Sequence, residues 1–242
     1  MNDTVFKLDN FTFRYDSSLV LDAITLTIAR GEKVALLGPS GAGKSTLLTV
    51  LYQQQPELSA LQPQGGGLVD PLSVYHNIFM GGLDRVSTFA ALWNLVRPLR
   101  KSRDEIASIV HQLGLEDKLW QSVDRLSGGQ RQRVALGRAL YRRQPVFLGD
   151  EPVSSVDPLQ AQSLLAHVLA QHETAVVSLH NRHLALENFD RVLVLRDGKI
   201  CCDLPAGELS GTQLDELYAQ SDSPLDQSLP VTKNDGWVIR TS

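Results

Sequence analysis

A glycine loop at residues 38–45 constrains the fold of this chain more than any other feature. The loop has the pattern G-x-x-x-x-G-K-[ST]. The apolar run at residues 33–37 before it predicts a buried strand, and the run at residues 45–51 after it predicts a helix. A strand that ends in such a loop and then enters a helix directs backbone N–H groups and the positive end of the helix dipole at one point. The sequence therefore predicts an α/β fold with a phosphate-binding loop.

Two side chains of this loop are of the types that bind a nucleoside triphosphate and its Mg²⁺. The glycines allow positive φ and a close approach of the backbone to phosphate oxygens. Lys44 can reach the β- and γ-phosphates as a mobile point charge. The hydroxyl of Ser45 can ligate Mg²⁺, which needs only one or two protein oxygens. The alternative, a plain glycine turn before a helix, does not explain the lysine and the hydroxyl at these positions.

A pair of acids ends a second apolar run. Residues 146–149 predict a fully buried strand of a parallel sheet, and ligands of such sheets bind at the carboxyl ends of strands. We expect Asp150 to hold Mg²⁺ through water. Glu151 is then placed to act as general base, or to position the water that attacks the γ-phosphate. The alternative is that two acids simply end a strand.

A second candidate anion site precedes the helical run at residues 130–136. Ser127, Gly128 and Gly129 are small residues at a predicted helix N-terminus. One chain needs only one phosphate cradle, so a second suggests that it serves the ATP of a neighbouring subunit. The alternative is that Ser127 is a plain N-cap followed by glycine spacers.

Residues 126–130, Leu-Ser-Gly-Gly-Gln, match the signature motif of ABC transporter nucleotide-binding subunits, which other P-loop ATPases lack. The chain resembles such a subunit over about residues 4–218. The resemblance implies a P-loop NTPase core of the α/β class with a mostly parallel sheet, a reduced antiparallel β-subdomain and an inserted α-helical subdomain. It also implies a head-to-tail dimer with two ATP molecules held between the subunits.

The resemblance assigns further residues one by one. Tyr15 resembles the aromatic that stacks on adenine, although an ordinary strand aromatic is the alternative. Gln64 resembles the glutamine that reaches Mg²⁺ and the attacking water and senses the membrane partner. Asp157 matches the aspartate of the loop that crosses the dimer interface. His180 matches the histidine that contacts the γ-phosphate and holds Glu151, although a lone structural histidine is the alternative.

These assignments define the candidate site. The catalytic residues are Glu151, His180 and Gln64, and the Mg²⁺ ligands are Ser45, Gln64 and Asp150. The residues assigned to ATP are Tyr15, Gly38, Pro39, Ser40, Gly41, Ala42, Gly43, Lys44, Ser45, Thr46, Ser127, Gly128, Gly129, Gln130 and Asp157.

The chain departs from the family pattern before Gln64. Lys44 and Gln64 are closer in the chain than is usual in the family, and residues 52–64 are rich in glutamine. We interpret this stretch as a shortened β-subdomain, followed at residues 65–67 by a flexible triple glycine. The departure leaves Gln62 as an alternative to Gln64. Gly149 also stands where the family often has a larger residue.

We predict one ATPase domain over residues 1–220 with a helical subdomain at about 68–122, and a C-terminal extension at 221–242. The helical spacing of Ile106, Ile109, Val110 and Leu113 and the helix stop Gly114 support the subdomain. By resemblance, residues 68–76 dock a cytoplasmic helix of a membrane subunit. The basic cluster Arg97, Arg100, Lys101 and Arg103 is either a solvated face or a lipid site. Residues 235–239 are interpreted as a short strand, a docking tail or a disordered end.

Segments outside the motifs indicate a subfamily. The chain resembles the ATPase subunits of importers of phosphonate or related phosphorus oxyanions in several short stretches. These are residues 77–81, 83–85, Leu92, Trp93, Pro98 and 215–218. The resemblance implies three partners: a second ATPase subunit, a transmembrane permease and, indirectly, a substrate-binding protein. It places the chain at the cytoplasmic face of the inner membrane.

Composition argues against several other classes of protein. The net charge of −4 argues against a nucleic-acid partner. We find no apolar run of the roughly 18 residues that span a bilayer, and no secretion signal at the start. Cys201 and Cys202 lack metal-ligand spacing, so we expect reduced thiols. A soluble ABC ATPase and a non-catalytic protein of the same fold remain as alternatives.

Overall fold

The computed structural model describes residues 3–209. The chain forms two compact units. Of the described residues, the first unit comprises 3–54 together with 178–209, and the second comprises 55–177. The predictions for residues 215–218, 235–239 and the extension 221–242 lie outside the described residues. The division into one domain and an extension therefore stays a prediction.

The described residues form strands and helices in alternation. The strands are β1 (Thr4–Tyr15), β2 (Ser18–Ala29), β3 (Lys33–Leu37), β4 (Ser59–Gln62), β5 (Val146–Asp150), β6 (Thr174–Ser178), β7 (Arg191–Arg196) and β8 (Lys199–Pro205). The helices are α1 (Lys44–Gln54), α2 (Val74–Phe79), α3 (Thr88–Val96), α4 (Arg100–Gln112), α5 (Gly128–Arg142), α6 (Pro158–Gln171) and α7 (Arg182–Asn188).

The first unit contains a small antiparallel sheet and three strands that carry the glycine loop. Strands β1 and β2 pair antiparallel, with several bulges along the register. Strand β3 pairs parallel with β7, and β7 pairs antiparallel with β8. The last four residues of β3 are buried, as expected for a strand covered on both faces. The predicted strand at 33–37 is confirmed, and α1 begins one residue before the predicted helix.

The second unit combines parallel strands with the inserted helices. Strand β4 pairs parallel with β5, and β6 follows β5 in the sheet order. Every residue of β5 and β6 is buried, which explains their continuous apolar runs. Helices α2 to α4 lie inside the predicted subdomain at 68–122. Ile106 and Val110 are buried on α4, and Gly114 ends that segment with φ of +61°.

This architecture confirms the predicted fold class. Strand pairs β3–β7 and β4–β5 are parallel, and the separate antiparallel sheet is reduced to the two strands β1 and β2. The short stretch before Gln64 contains the end of α1 and the parallel strand β4. Among residues 3–209, no helix is both long and apolar enough to span a membrane.

Candidate active site

The glycine loop of the first unit is shaped by close packing against its own neighbours. Gly38 has φ of +145°, and a Cβ at this position would overlap the carbonyl oxygen of Leu195 on β7. Gly43 has φ of +101°, and its Cβ would lie 2.9 Å from both a methyl carbon of Leu21 and the carbonyl oxygen of Val20. Real Cβ atoms do not approach that closely, so only glycine fits at either position.

Lys44 lies in the first turn of α1 and reaches back over the loop. Its buried Nζ donates hydrogen bonds to the carbonyl oxygens of Gly38 and Pro39, each at 2.8 Å. These bonds hold a positive charge at the helix N-terminus, where amide groups also favour an anion. Gly41 has φ of +79° and no atom within 4 Å of a Cβ position, which leaves room on this side of the loop. Ser45 is exposed beside it. The loop therefore fits a phosphate chain.

Tyr15 and His180 belong to the same unit. Tyr15 ends β1 and is 56% exposed, and its ring makes an edge contact with that of Phe13 at 4.9 Å between centroids. An exposed aromatic face can stack on a flat ring such as adenine. His180 is exposed and follows β6, immediately before Asn181. Asn181 caps α7 by accepting hydrogen bonds from the amides of His183 and Leu184.

The paired acids of the second unit lie where β5 ends. Asp150 is the last residue of β5 and is buried. Glu151 follows with φ of +51°, a left-handed conformation that is uncommon for a residue other than glycine. A Cβ on Gly149 would lie 2.7 Å from the ring of Phe147, so a larger residue at this position would displace this ring. Glycine at this position leaves room for the Phe147 ring.

The signature motif forms the start of α5. The hydroxyl of Ser127 accepts a hydrogen bond from the amide of Gln130, and the Gln130 side chain accepts one from the amide of Ser127. This capping box shows that Ser127 is an N-cap, as the simpler alternative required. Ser127 and Gly128 are also exposed, so the start of α5 is accessible to a ligand. The role of the motif towards a neighbour's ATP stays a prediction.

Gln132 fastens α5 to the loop that follows Glu151, a role that the sequence did not reveal. Its Nε2 donates to the carbonyl oxygen of Glu151 at 2.7 Å and to the hydroxyl of Ser154 at 2.9 Å. Its Oε1 accepts from the amide of Ser155 at 2.7 Å. One amide group therefore supports the left-handed backbone at Glu151. A glutamine one turn into a signature helix has no sequence mark that separates it from its solvated neighbours.

Asp157 ends the same loop as the N-cap of α6. Its Oδ1 accepts a hydrogen bond from the amide of Leu159 at 3.0 Å, and Pro158 occupies the first turn of the helix. The side chain is exposed. The loop between Glu151 and Asp157 thus connects the end of β5 to an accessible helix start.

Gln64 lies just beyond β4 in an exposed turn. Gln62, the alternative, is buried within β4 opposite Gly149. The three glycines after Gln64 all have positive φ. Arg138 of α5 donates hydrogen bonds to the carbonyl oxygens of Gly66 and Gly67 at 3.2 and 3.0 Å. The predicted flexible segment therefore has a defined turn conformation, and exposure favours Gln64 over Gln62.

The predicted docking segment at residues 68–76 is pinned by one buried amide. The Oδ1 of Asn77 accepts from the amide of Val69 at 2.8 Å. The two N–H groups of its Nδ2 are shared among the carbonyl oxygens of Val69, Leu72 and Ser73, which lie 3.1, 3.2 and 3.1 Å from this nitrogen. Burial lowers the pKa of the neighbouring His76 imidazole below its ordinary value of about 6.5, so this ring is neutral near pH 7.

Replacement of Asn77 by alanine should destabilise the second unit strongly. The variant would lose the hydrogen bonds of this buried amide to Val69, Leu72 and Ser73, and their part-buried backbone groups would be left without this partner, for a loss of about 2–4 kcal/mol. Urea unfolding measures this change. Asn188→Ala is the matched control, because Asn188 makes one such bond to Leu184. Equal losses in both variants would contradict the pinning role.

Helix α5 links these features within the second unit. Its first turn carries the signature motif, Gln132 supports Glu151, and Arg138 holds the turn after Gln64. Arg131 forms an ion pair with Asp70 of the docking segment at 2.6 Å. A displacement of α5 would therefore move the signature motif and the contacts to Glu151, to the turn after Gln64 and to the docking segment together.

The comparisons with known proteins agree with these features. The family model described as "ABC transporter" matches residues 21–154, more than half of the chain. The chain belongs to the ABC transporter family. It is thereby an ABC-type ATPase. The matched range includes the glycine loop, the signature motif and the paired acids.

Curated relatives and solved structures extend the match. The chain is 38% identical to "Phosphonates import ATP-binding protein PhnC 2" of Pseudomonas aeruginosa over 90% of this chain and 92% of that protein. It is 38% identical to the PhnC protein of Pseudomonas putida over 90% and 91%. The structure of an "ATP binding subunit of ABC transporter" superimposes with a TM-score of 0.72 at 22% identity, covering 90% of this chain and 99% of that one. A dimeric ATP-binding cassette bound to ADP and Pi gives 0.67 at 24% identity, over 83% and 98%. These structures share the fold.

Proposed function

We propose that the chain is the ATP-hydrolysing subunit of an ABC importer for phosphonate or a related phosphorus oxyanion. The observation that carries the ATPase role is the glycine loop, in which Gly38 admits no side chain and Lys44 holds its charge over the loop. The transported class rests on the names of relatives that match almost the whole chain. The subunit would lie at the cytoplasmic face of the inner membrane.

The proposal assigns ATP and Mg²⁺ to residues of each unit. In the first unit, residues 38–46 hold the phosphates and Tyr15 stacks on adenine. Ser45 and Gln64 would ligate Mg²⁺ directly, and Asp150 would hold it through water. Among residues 3–209, no group of three or more His, Cys, Asp or Glu is arranged to hold a metal ion. Mg²⁺ in nucleotide sites usually keeps several waters and binds one or two protein oxygens together with the phosphates. When bound, Mg²⁺ neutralises charge on the phosphates.

The remaining residues act on the reaction or on the partner. Glu151 accepts the proton of the attacking water, and His180 contacts the γ-phosphate. Gln64 orients the water and senses the membrane partner. Ser127, with Gly128, Gly129 and Gln130, serves the ATP of a second subunit in a head-to-tail dimer, supported by the exposure of Ser127 and Gly128. Asp157 lies at the dimer interface of this arrangement.

Replacement of Gln132 by alanine should slow hydrolysis without preventing ATP binding. The variant loses three hydrogen bonds to the loop of Glu151, so the carboxylate would be less well positioned. We expect kcat to fall about tenfold, within the range for misplaced catalytic groups, with little change in KM. Gln132→Glu, which keeps only the acceptor, should lie nearer to alanine than to wild type. A rise in KM with unchanged kcat would contradict this role.

Capture from membranes tests the transport role. The tagged subunit is incubated in Mg-ATP with detergent-solubilised membranes, and co-purifying proteins are identified by mass spectrometry. A multi-spanning permease should be recovered by wild type and lost with Val69→Glu in the docking segment. Leu58→Glu is the matched control, because both side chains are similarly exposed, at 38% and 37%. Recovery of a dimer without a permease would instead support a soluble ABC ATPase.

A further inference from the structure

Helix α3 buries a polar residue and exposes its large apolar residues, the reverse of an ordinary surface helix. Of its nine residues, all of them described, only Asn94 is buried. The Oδ1 of Asn94 accepts hydrogen bonds from the hydroxyl of Tyr75 at 2.9 Å and from the amide of Leu99 at 2.8 Å. The helix is thus anchored to its unit by its single central polar residue, and its apolar residues are left outside.

Those apolar residues form one continuous stripe. Phe89, Leu92, Trp93 and Val96 follow the spacing i, i+3, i+4, i+7 and are between 51% and 85% exposed. Leu95 flanks the stripe and is also exposed. Single exposed apolar residues are normal, but a contiguous group of large ones marks a surface that another apolar phase covers.

The charge of this region identifies the covering phase. Residues 87–103 contain the basic cluster Arg97, Arg100, Lys101 and Arg103 and no Asp or Glu, in a chain whose net charge is −4. All four side chains are exposed. The nearest acid, Asp104, lies 3.6 Å from Arg103 in a solvated pair that neutralises little of this charge. An apolar stripe with a tryptophan, followed in the chain by four exposed cations, is typical of a segment that lies in a membrane interface.

We propose that α3 and the start of α4 bind an anionic lipid surface directly. The stripe enters the boundary between headgroups and acyl chains, and the four cations contact lipid phosphates. The binding requires neither ATP nor the permease, so it is independent of the proposed transport activity. It would add a second, lipid-mediated attachment of the subunit to the membrane.

Vesicle sedimentation with the full-length chain tests the proposal. Vesicles of phosphatidylcholine, with and without phosphatidylglycerol, are used at low and high salt in the absence of any permease. We expect binding only with phosphatidylglycerol, weakened by salt. Arg100→Gln with Lys101→Gln should weaken it by about 10- to 25-fold, since each cation near such a surface strengthens binding roughly fivefold. Leu92→Glu with Val96→Glu should abolish it.

The control is Leu159→Glu, which places the same charge on an exposed leucine of α6 and should leave vesicle binding unchanged. In a Trp120→Phe and Trp237→Phe background, Trp93 is the only tryptophan, and brominated lipids should quench its fluorescence. Absence of binding, or equal binding by all variants, would overturn the proposal. The proposal would also be overturned if Leu92→Glu with Val96→Glu kept vesicle binding but converted an oligomer to a monomer, or no longer captured the permease. Those results would assign the stripe to a second copy or to a protein partner.

Discussion

Glu151→Gln should reduce ATP hydrolysis by about 10²- to 10⁴-fold and trap a stable ATP-bound dimer. Glutamine has nearly the same shape as glutamate but cannot accept the proton of the attacking water. The Gln132 bond to the Glu151 backbone does not involve the side chain, so the loop should keep its conformation. Phosphate release measures the loss of turnover, and light scattering in ATP measures the dimer.

The control for this variant is Glu57→Gln, which removes the same charge from an exposed position on the second unit. It should hydrolyse ATP at the wild-type rate and remain in the same association state as wild type. Turnover like that of wild type in Glu151→Gln would remove Glu151 from the catalytic role. Lost turnover without an ATP-bound dimer would leave the catalytic role but contradict the sandwich arrangement.

Lys44→Ala should weaken ATP binding by about 10- to 100-fold. The variant loses a charged hydrogen-bond donor to phosphate, worth about 1.5–3 kcal/mol. It also loses the two bonds to Gly38 and Pro39 that place the loop. Calorimetric titration with ATP measures the affinity, and a thermal melt separates it from stability.

Lys7→Ala serves as the control for this second variant, because Lys7 is an exposed lysine of β1 with no assigned contact to ATP. Its ATP affinity should equal that of wild type. Unaltered affinity in Lys44→Ala would exclude the loop as the phosphate site. If ATP binding were weaker and the unliganded variant also melted at a lower temperature than wild type, the substitution would have damaged the loop itself.

The local sequence was sufficient for the elements that carry the motifs. Strand β3 matched its predicted bounds, and α1 began one residue early, because an apolar run of strand length and a glycine loop act over a few residues. Gly114 ended its segment as predicted for the same reason. The signature motif was informative because it is a contiguous stretch of residues with a pattern specific to one family.

Long-range contacts decided what the local pattern could not. Helix α3 reads as an ordinary apolar helix, yet its polar residue Asn94 is the buried one, because Tyr75 supplies a partner from another helix. The support of Glu151 by Gln132 likewise joins residues 19 positions apart. Sequence periodicity reports which residues share a face, but not which face a distant polar group will bind.

The sequence by itself determined the family, the phosphate loop and the order of the motifs, because these depend on residue types at short fixed spacings. Only the tertiary structure decided which side chains hold the motifs in place. Asn77 pins the docking segment, and Arg138 shapes the turn after Gln64. Both residues act through hydrogen bonds to backbone groups. Because every residue has a backbone carbonyl, the sequence does not show which carbonyl groups lie within reach of these side chains, and only the folded chain does.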